Sequence, residues 1–117
     1  DIRQVQFCKG AILSGILTLM QRLGLKEREI DRVIVAGQFG KHLNPESLTG
    51  AGLIPASLKE RISYIGNSSM MGAHLCLLNQ NERRRAEEVA KNIEYIELSV
   101  SPGYEKLFTK CLQFECP

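Results

Sequence analysis

Two short stretches carry residue types that can meet a ligand. Val35-Ala36 runs into Gly37-Gln38-Phe39-Gly40, and Ile65 runs into Gly66-Asn67-Ser68. Glycine has no Cβ and tolerates positive φ, so each loop lets backbone approach a bound molecule closely. Behind Ser68 a helix is expected, and the first amides of a helix point outward unpaired, a natural anion site. Ligands of open α/β sheets bind at the carboxyl ends of strands. Two such loops at neighbouring strand ends would make a crevice. Each loop read separately also fits a tight connection with no ligand.

Little else in the chain is equipped for chemistry. It shows no Ser/His/Asp triad, paired catalytic carboxylates or complete phosphate loop, so no catalytic residue is assigned. Asp31 reads as a turn residue before a strand, His42 as a solvated loop histidine and His74 as a boundary residue. Met70 and Met71 read as core filler. The cysteines at 8, 76, 111 and 116 form no CxxC, and the two histidines are not spaced with them as zinc ligands. Cys8 and Cys76 fall on apolar helical patterns and are expected to be buried thiols. Cys111 and Cys116 could pair or ligate, and no metal site is assigned.

The elements that must hold the two loops follow from periodicity. Ile2, Val5, Cys8, Ile12, Ile16, Leu19 and Leu23 recur at helical spacing and predict one buried stripe. Asp1 caps the start and Gly24 the end. Residues 2 to 23 would form a rod of about 33 Å at about 1.5 Å rise per residue. Gly10, Ala11, Ser14, Gly15 and Thr18 leave another face small, which suits a close neighbour: a second helix first, with backbone or a ligand as the alternatives. Residues 32–36 and 62–65 read as short buried strands. Asn44-Pro45-Glu46 has the form of a helix start, and Ser57 with Glu60 fits a capping box. Helices are expected through Met70–Leu78 and Asn81–Asn92, the second with Arg83/Glu87 and Arg84/Glu88 pairs. A third strand over 93–100 and a last helix from Tyr104 to Leu112 complete the order α-β-α-β-α-α-β-α. That order favours an α/β layer fold with a short sheet flanked by helices.

Composition narrows the partners. With 117 residues there is room for one domain. Fifteen basic against 13 acidic residues leave a net charge of +2, too balanced to imply a nucleic-acid or membrane partner. The run from Ala11 to Met20 is too short and too broken to span a bilayer. The chain is expected to be a cytoplasmic piece of something longer, with residues 1–117 forming a single domain.

At Leu23-Gly24-Leu25 through Ile30 to Gly37, the helix end, "ID" step, aliphatic strand and glycine loop resemble the actin, sugar-kinase and heat-shock ATPase superfamily. The stretches "QFCKGAI", "IDRVIVAGQFGKHLNPESLTGAGLIP", "IGNSSMMGA" and "YIELS" together resemble the C-terminal part of the reductive activators of corrinoid proteins. The likeness covers nearly the whole chain. It implies a partial actin-like (ribonuclease H-like) ATPase subdomain. It also implies a parent iron–sulfur protein that uses ATP with Mg to return an inactivated cobalt centre to its reduced state for methyl transfer. Gly37, Gln38, Phe39 and Gly40 match the loop that faces the nucleotide, and Gly66, Asn67 and Ser68 the second turn on the same side. Lys9 lies where a helical lysine of related ATPases can reach the nucleotide; a surface lysine is the alternative. The phosphate-binding hairpins, the metal-associated acids and the iron–sulfur domain belong to earlier parts of such a parent. The isolated segment is therefore expected to be neither redox active nor a competent ATPase. The implied partner is a corrinoid protein, with self-association through an exposed apolar face; a docking or dimerisation module without catalysis is the alternative.

Overall fold

The computed structural model describes residues 1–113, the side chains of Phe39 and Lys41 excepted. Helix α1 (Ile2–Leu23) starts where the Asp1 carboxylate accepts from the Arg3 amide at 3.0 Å and stops at Gly24, which is left-handed. Strand β1 (Val33–Ala36) follows a short polar turn. Asn44 Oδ1 then accepts from the Ser47 amide at 2.7 Å and opens α2 (Pro45–Gly50), with proline in its first turn. A 3-10 turn over Ala56–Arg61 leads into β2 (Ile62–Gly66). Asn67 caps α3 (Ser68–Leu78), Asn79 caps α4 (Gln80–Asn92), and α5 (Tyr104–Cys111) is the last described helix.

β1 and β2 pair in parallel, with Val33, Ile34 and Val35 opposite Ile62, Ser63 and Tyr64. Parallel pairing needs a long crossover, and here that crossover carries α2 and builds the core. Leu48, Ile54 and Leu58 are buried, and Ile16, Ile30, Val33, Val35, Leu43, Ile62 and Tyr64 pack against them. Only one side of β1 is covered. Val33 and Val35 are half-buried while Ile34 and Ala36 are exposed, so the strand is not buried on both faces as its aliphatic run suggested.

A mostly helical chain with a two-stranded parallel sheet is thus the observed form of the α/β expectation. The third strand is absent among the described residues. Over 93–97 the chain is irregular, and Leu98–Val100 forms a 3-10 turn. Local bonds compete with a ladder there: Tyr95 Oη donates to one Glu97 carboxylate oxygen at 2.6 Å, and Ser99 Oγ donates to the other at 2.9 Å. Those two donors hold the Glu97 carboxyl below its usual range, and the bond to Glu97 raises the Tyr95 phenol. The expected capping box is also replaced: Pro55 precedes the 3-10 turn, and the Ser57 hydroxyl donates to the Glu27 carboxylate instead. On α4 the ion pair is Arg85 with Glu82, 3.1 Å apart, in place of the expected i,i+4 pairs.

The largest correction concerns α1. Of its apolar stripe, Ile2, Val5, Cys8, Ile12, Leu19 and Leu23 are exposed; the buried positions are Lys9, Gly10, Leu13 and Ser14. The small face is the packed one, and α5 lies on it. A methyl on Gly10 would stand 2.8 Å from Leu112 Cδ2 and 3.1 Å from Phe108 Cε2. Ser14 Oγ and Tyr104 Oη are 2.9 Å apart at one end of the seam. At the other end Lys9, expected to reach a nucleotide or else to lie at the surface, is 1% exposed and donates from Nζ to the Cys111 carbonyl at 2.8 Å and to that of Gln113. A cation at the carbonyl end of a helix also meets the negative end of its dipole. Cys8 and Cys76 are free thiols, Cys8 exposed rather than buried, and Cys116 lies outside the described residues.

Gly10→Val should lower unfolding stability by about 1–3 kcal/mol through overpacking of the seam, read by denaturant titration; an unchanged midpoint would contradict the close packing. The Tyr64 hydroxyl is buried with no hydrogen-bond partner among the described residues. Tyr64→Phe should therefore be neutral or stabilising by up to about 1 kcal/mol, and a clear loss in the same titration would mean the hydroxyl has a partner.

Candidate functional site

The strand pairing decides where the two glycine loops sit. Its register slips by one residue after Val35, so Ala36 stands opposite Gly66 instead of Ile65. The slip brings the Gly37 amide to the Gly66 carbonyl, to which it donates at 2.7 Å. Irregularities of this kind recur beside functional sites, where they re-aim the backbone. The loops expected from sequence to be neighbours are thus joined by a backbone bond at the carboxyl ends of both strands.

Gly37 has φ 95° and Gly66 φ 70°, and a Cβ on either would meet no atom within 4 Å. Their backbone angles favour glycine, while the space above them is open. Gly40 differs: it is buried, and a methyl there would stand 2.5 Å from Val35 Cγ1. Its glycine is explained by packing of the Phe39–His42 turn on β1. Gln38 precedes that turn and is exposed, and Phe39 is its first residue. On the other loop Asn67 Oδ1 accepts from the Met70 amide at 3.1 Å, and Ser68 begins α3. This cap occupies the Met70 amide and leaves any anion contact to the amides before it.

Gln38, Ile65, Gly66, Asn67, Met70 and Met71 together line a shallow crevice of about 450 Å³. Its walls combine amide side chains, which bond to hydroxyls and carbonyls, with apolar surface. Ile65, Met70 and Met71 are additions to the residues expected here. Both methionines are exposed, not core filler. The signal that places them is their position in the first turn of a helix that opens directly off the glycine loop.

Lys9 is not brought to this crevice. Its ammonium is held at the C-terminal end of α5, on the wall of a separate cavity with Thr49, Gly52 and Leu107. No group of three or more His, Cys, Asp or Glu able to hold a metal occurs among the described residues. No described helix is long and apolar enough to cross a membrane.

Residues 1–116 match the family described as the C-terminal domain of RACo, the ASKHA domain. The chain belongs to that family. A RACo C-terminal domain is also what its relatives indicate. The chain is 29% identical over 108 residues to the corrinoid activation enzyme RamQ of Eubacterium limosum, covering 92% of this chain and 18% of that protein. A solved structure of a "reductive activator for corrinoid,iron-sulfur protein" superposes with a TM-score of 0.83 at 35% identity, covering 94% of this chain and 18% of that one. The chain thus spans about a fifth of the length of these relatives, at their C-terminal part. The resemblance seen in the sequence motifs and the partial actin-like fold both hold.

Gly40→Ala in this RACo C-terminal domain should cost about 1–3 kcal/mol of stability by overpacking against Val35. Gly50→Ala, where a methyl meets nothing within 4 Å, should change stability far less; equal losses in thermal unfolding would remove the packing explanation.

Proposed function

We propose that the crevice at the ends of β1 and β2 is one wall of a nucleotide site, and that the full-length protein is an ATP-dependent reductive activator of a corrinoid protein. One observation supports the site above the others: the Gly37–Gly66 bond places two side-chain-free, positive-φ positions together at strand ends, facing open space. A cradle that a Cβ would fill suits a ligand that must lie against backbone. Gln38 and Asn67 would supply hydrogen bonds, Ile65 and Met70 apolar contact, and the amides at the start of α3 an anion contact. Phe39 and Ser68 stay in the proposed set by position. Gly40 would act by holding the loop and Lys9 by holding α5.

Bound ATP would supply binding free energy, and this wall can use it only through a difference in affinity between two conformations of the loops. Magnesium would be held mainly through the phosphates. The iron–sulfur centre of the proposed full-length protein would reside in a part of it outside this chain. The names of the relatives support the role: one is a corrinoid activation enzyme, the other a reductive activator. The corrinoid protein is accordingly the proposed partner and the cytoplasm the proposed compartment.

A docking or dimerisation role is the second reading. It is favoured by the exposed leucines of α3, with Leu77 and Leu78 each about three-quarters exposed.

Substitution in the full-length protein separates the two. Gly37→Val should weaken Mg-ATP binding at least about tenfold, near 1.4 kcal/mol, measured by calorimetry. Gly24→Ala carries similar positive-φ strain at φ 67° but lies before β1, and should leave affinity unchanged. Wild-type affinity in Gly37→Val would reduce the loops to turns and favour docking.

A further inference from the structure

A second cavity lies away from the strand ends, between α1, α2 and α5. It measures about 340 Å³ and is walled mainly by Leu13, Leu17, Ile54, Pro55 and Leu107. That is the small end of the range of ligand sites, roughly 300–1,000 Å³, which are typically apolar with a few fixed polar groups. The buried polar group here is Lys9. Its ammonium is almost fully buried, and among the described residues no carboxylate comes within ion-pair distance of it. Two carbonyls, of Cys111 and Gln113, take two of its three N–H donors. A buried cation normally carries a counter-charge as well as hydrogen bonds, because desolvation is costly. Carbonyls and a helix end supply only partial negative charge.

The opposite wall is shaped around this lysine. A methyl on Gly52 would stand 2.6 Å from Lys9 Cε and 3.6 Å from its Nζ. Gly50, Thr49 and Ala56 extend the same side with little bulk, and Lys110 adds a second basic residue to the lining. One acidic residue, Glu27, also lines the cavity; it is exposed, and its carboxylate accepts from the Ser57 hydroxyl. A monoanion with a short apolar tail matches this arrangement. Its head would meet the Lys9 ammonium, and its tail would lie against the leucines, Ile54 and Pro55.

We propose that this cavity is a binding site for a small aliphatic carboxylate, recognised by Lys9 and distinct from the proposed nucleotide crevice. The test uses the full-length protein and sodium hexanoate, with binding read by isothermal calorimetry. One saturable site with Kd below about 1 mM is expected, hexanol and inorganic phosphate each binding at least tenfold more weakly. Lys9→Met should weaken hexanoate at least tenfold. If that variant does not fold, Leu17→Trp, which fills the cavity without altering Lys9, should abolish binding. The proposal is overturned by no saturable hexanoate binding up to 10 mM, by hexanol or phosphate binding as tightly, or by unchanged hexanoate affinity in either folded variant.

Discussion

Two short parallel strands, joined at their ends by the Gly37 amide and the Gly66 carbonyl, set the position of the loops that line the proposed nucleotide crevice. Parallel neighbours cannot be connected by a tight hairpin. The chain between them must travel back across the sheet, and on the way it places Leu48, Ile54 and Leu58 over one face. The same pairing thus creates the core and brings both glycine loops to one edge. The one-residue slip before Gly66 completes it, since without the slip Ile65 would stand opposite Ala36.

A second constraint acts at the α1–α5 seam. There polar groups, not leucines, fix the register of two helices about a hundred residues apart in sequence. Ser14 meets Tyr104 near the start of α5, and Lys9 holds the carbonyls at its end. Gly10 between them admits Leu112 and Phe108. Such directional bonds specify one arrangement more narrowly than apolar contact, which is non-directional. The outer face of α1, by contrast, presents Ile2, Val5, Phe7 and Leu23 to solvent in a chain that spans about a fifth of the length of its relatives.

Much of the site is legible in the sequence. A β-branched run ending in glycine, an Asn-Ser step into a helix and the ordered motifs of a known family each carry local information, and local rules govern those positions. The methionines escape such a reading because a Met-Met pair has the composition of core, and only the proximity of its helix start to the crevice exposes its position. The 93–100 stretch misleads for the opposite reason. Its alternation fits a strand, but the Glu97 carboxylate gathers the side chains of Tyr95 and Ser99, and no described strand lies beside it.

The sequence by itself determined several helix ends, because capping is decided within a few residues: Asp1, Gly24 and Asn44 act where their types predict, while Ser57 is drawn away by Glu27. It also determined the family, through motifs spread along nearly the whole chain. Which face of α1 is buried, and the fate of Lys9, were decided only by tertiary structure. Helical periodicity shows that a stripe exists but not what packs against it. For Lys9 the deciding partners were two carbonyls more than a hundred residues away, which no local pattern encodes.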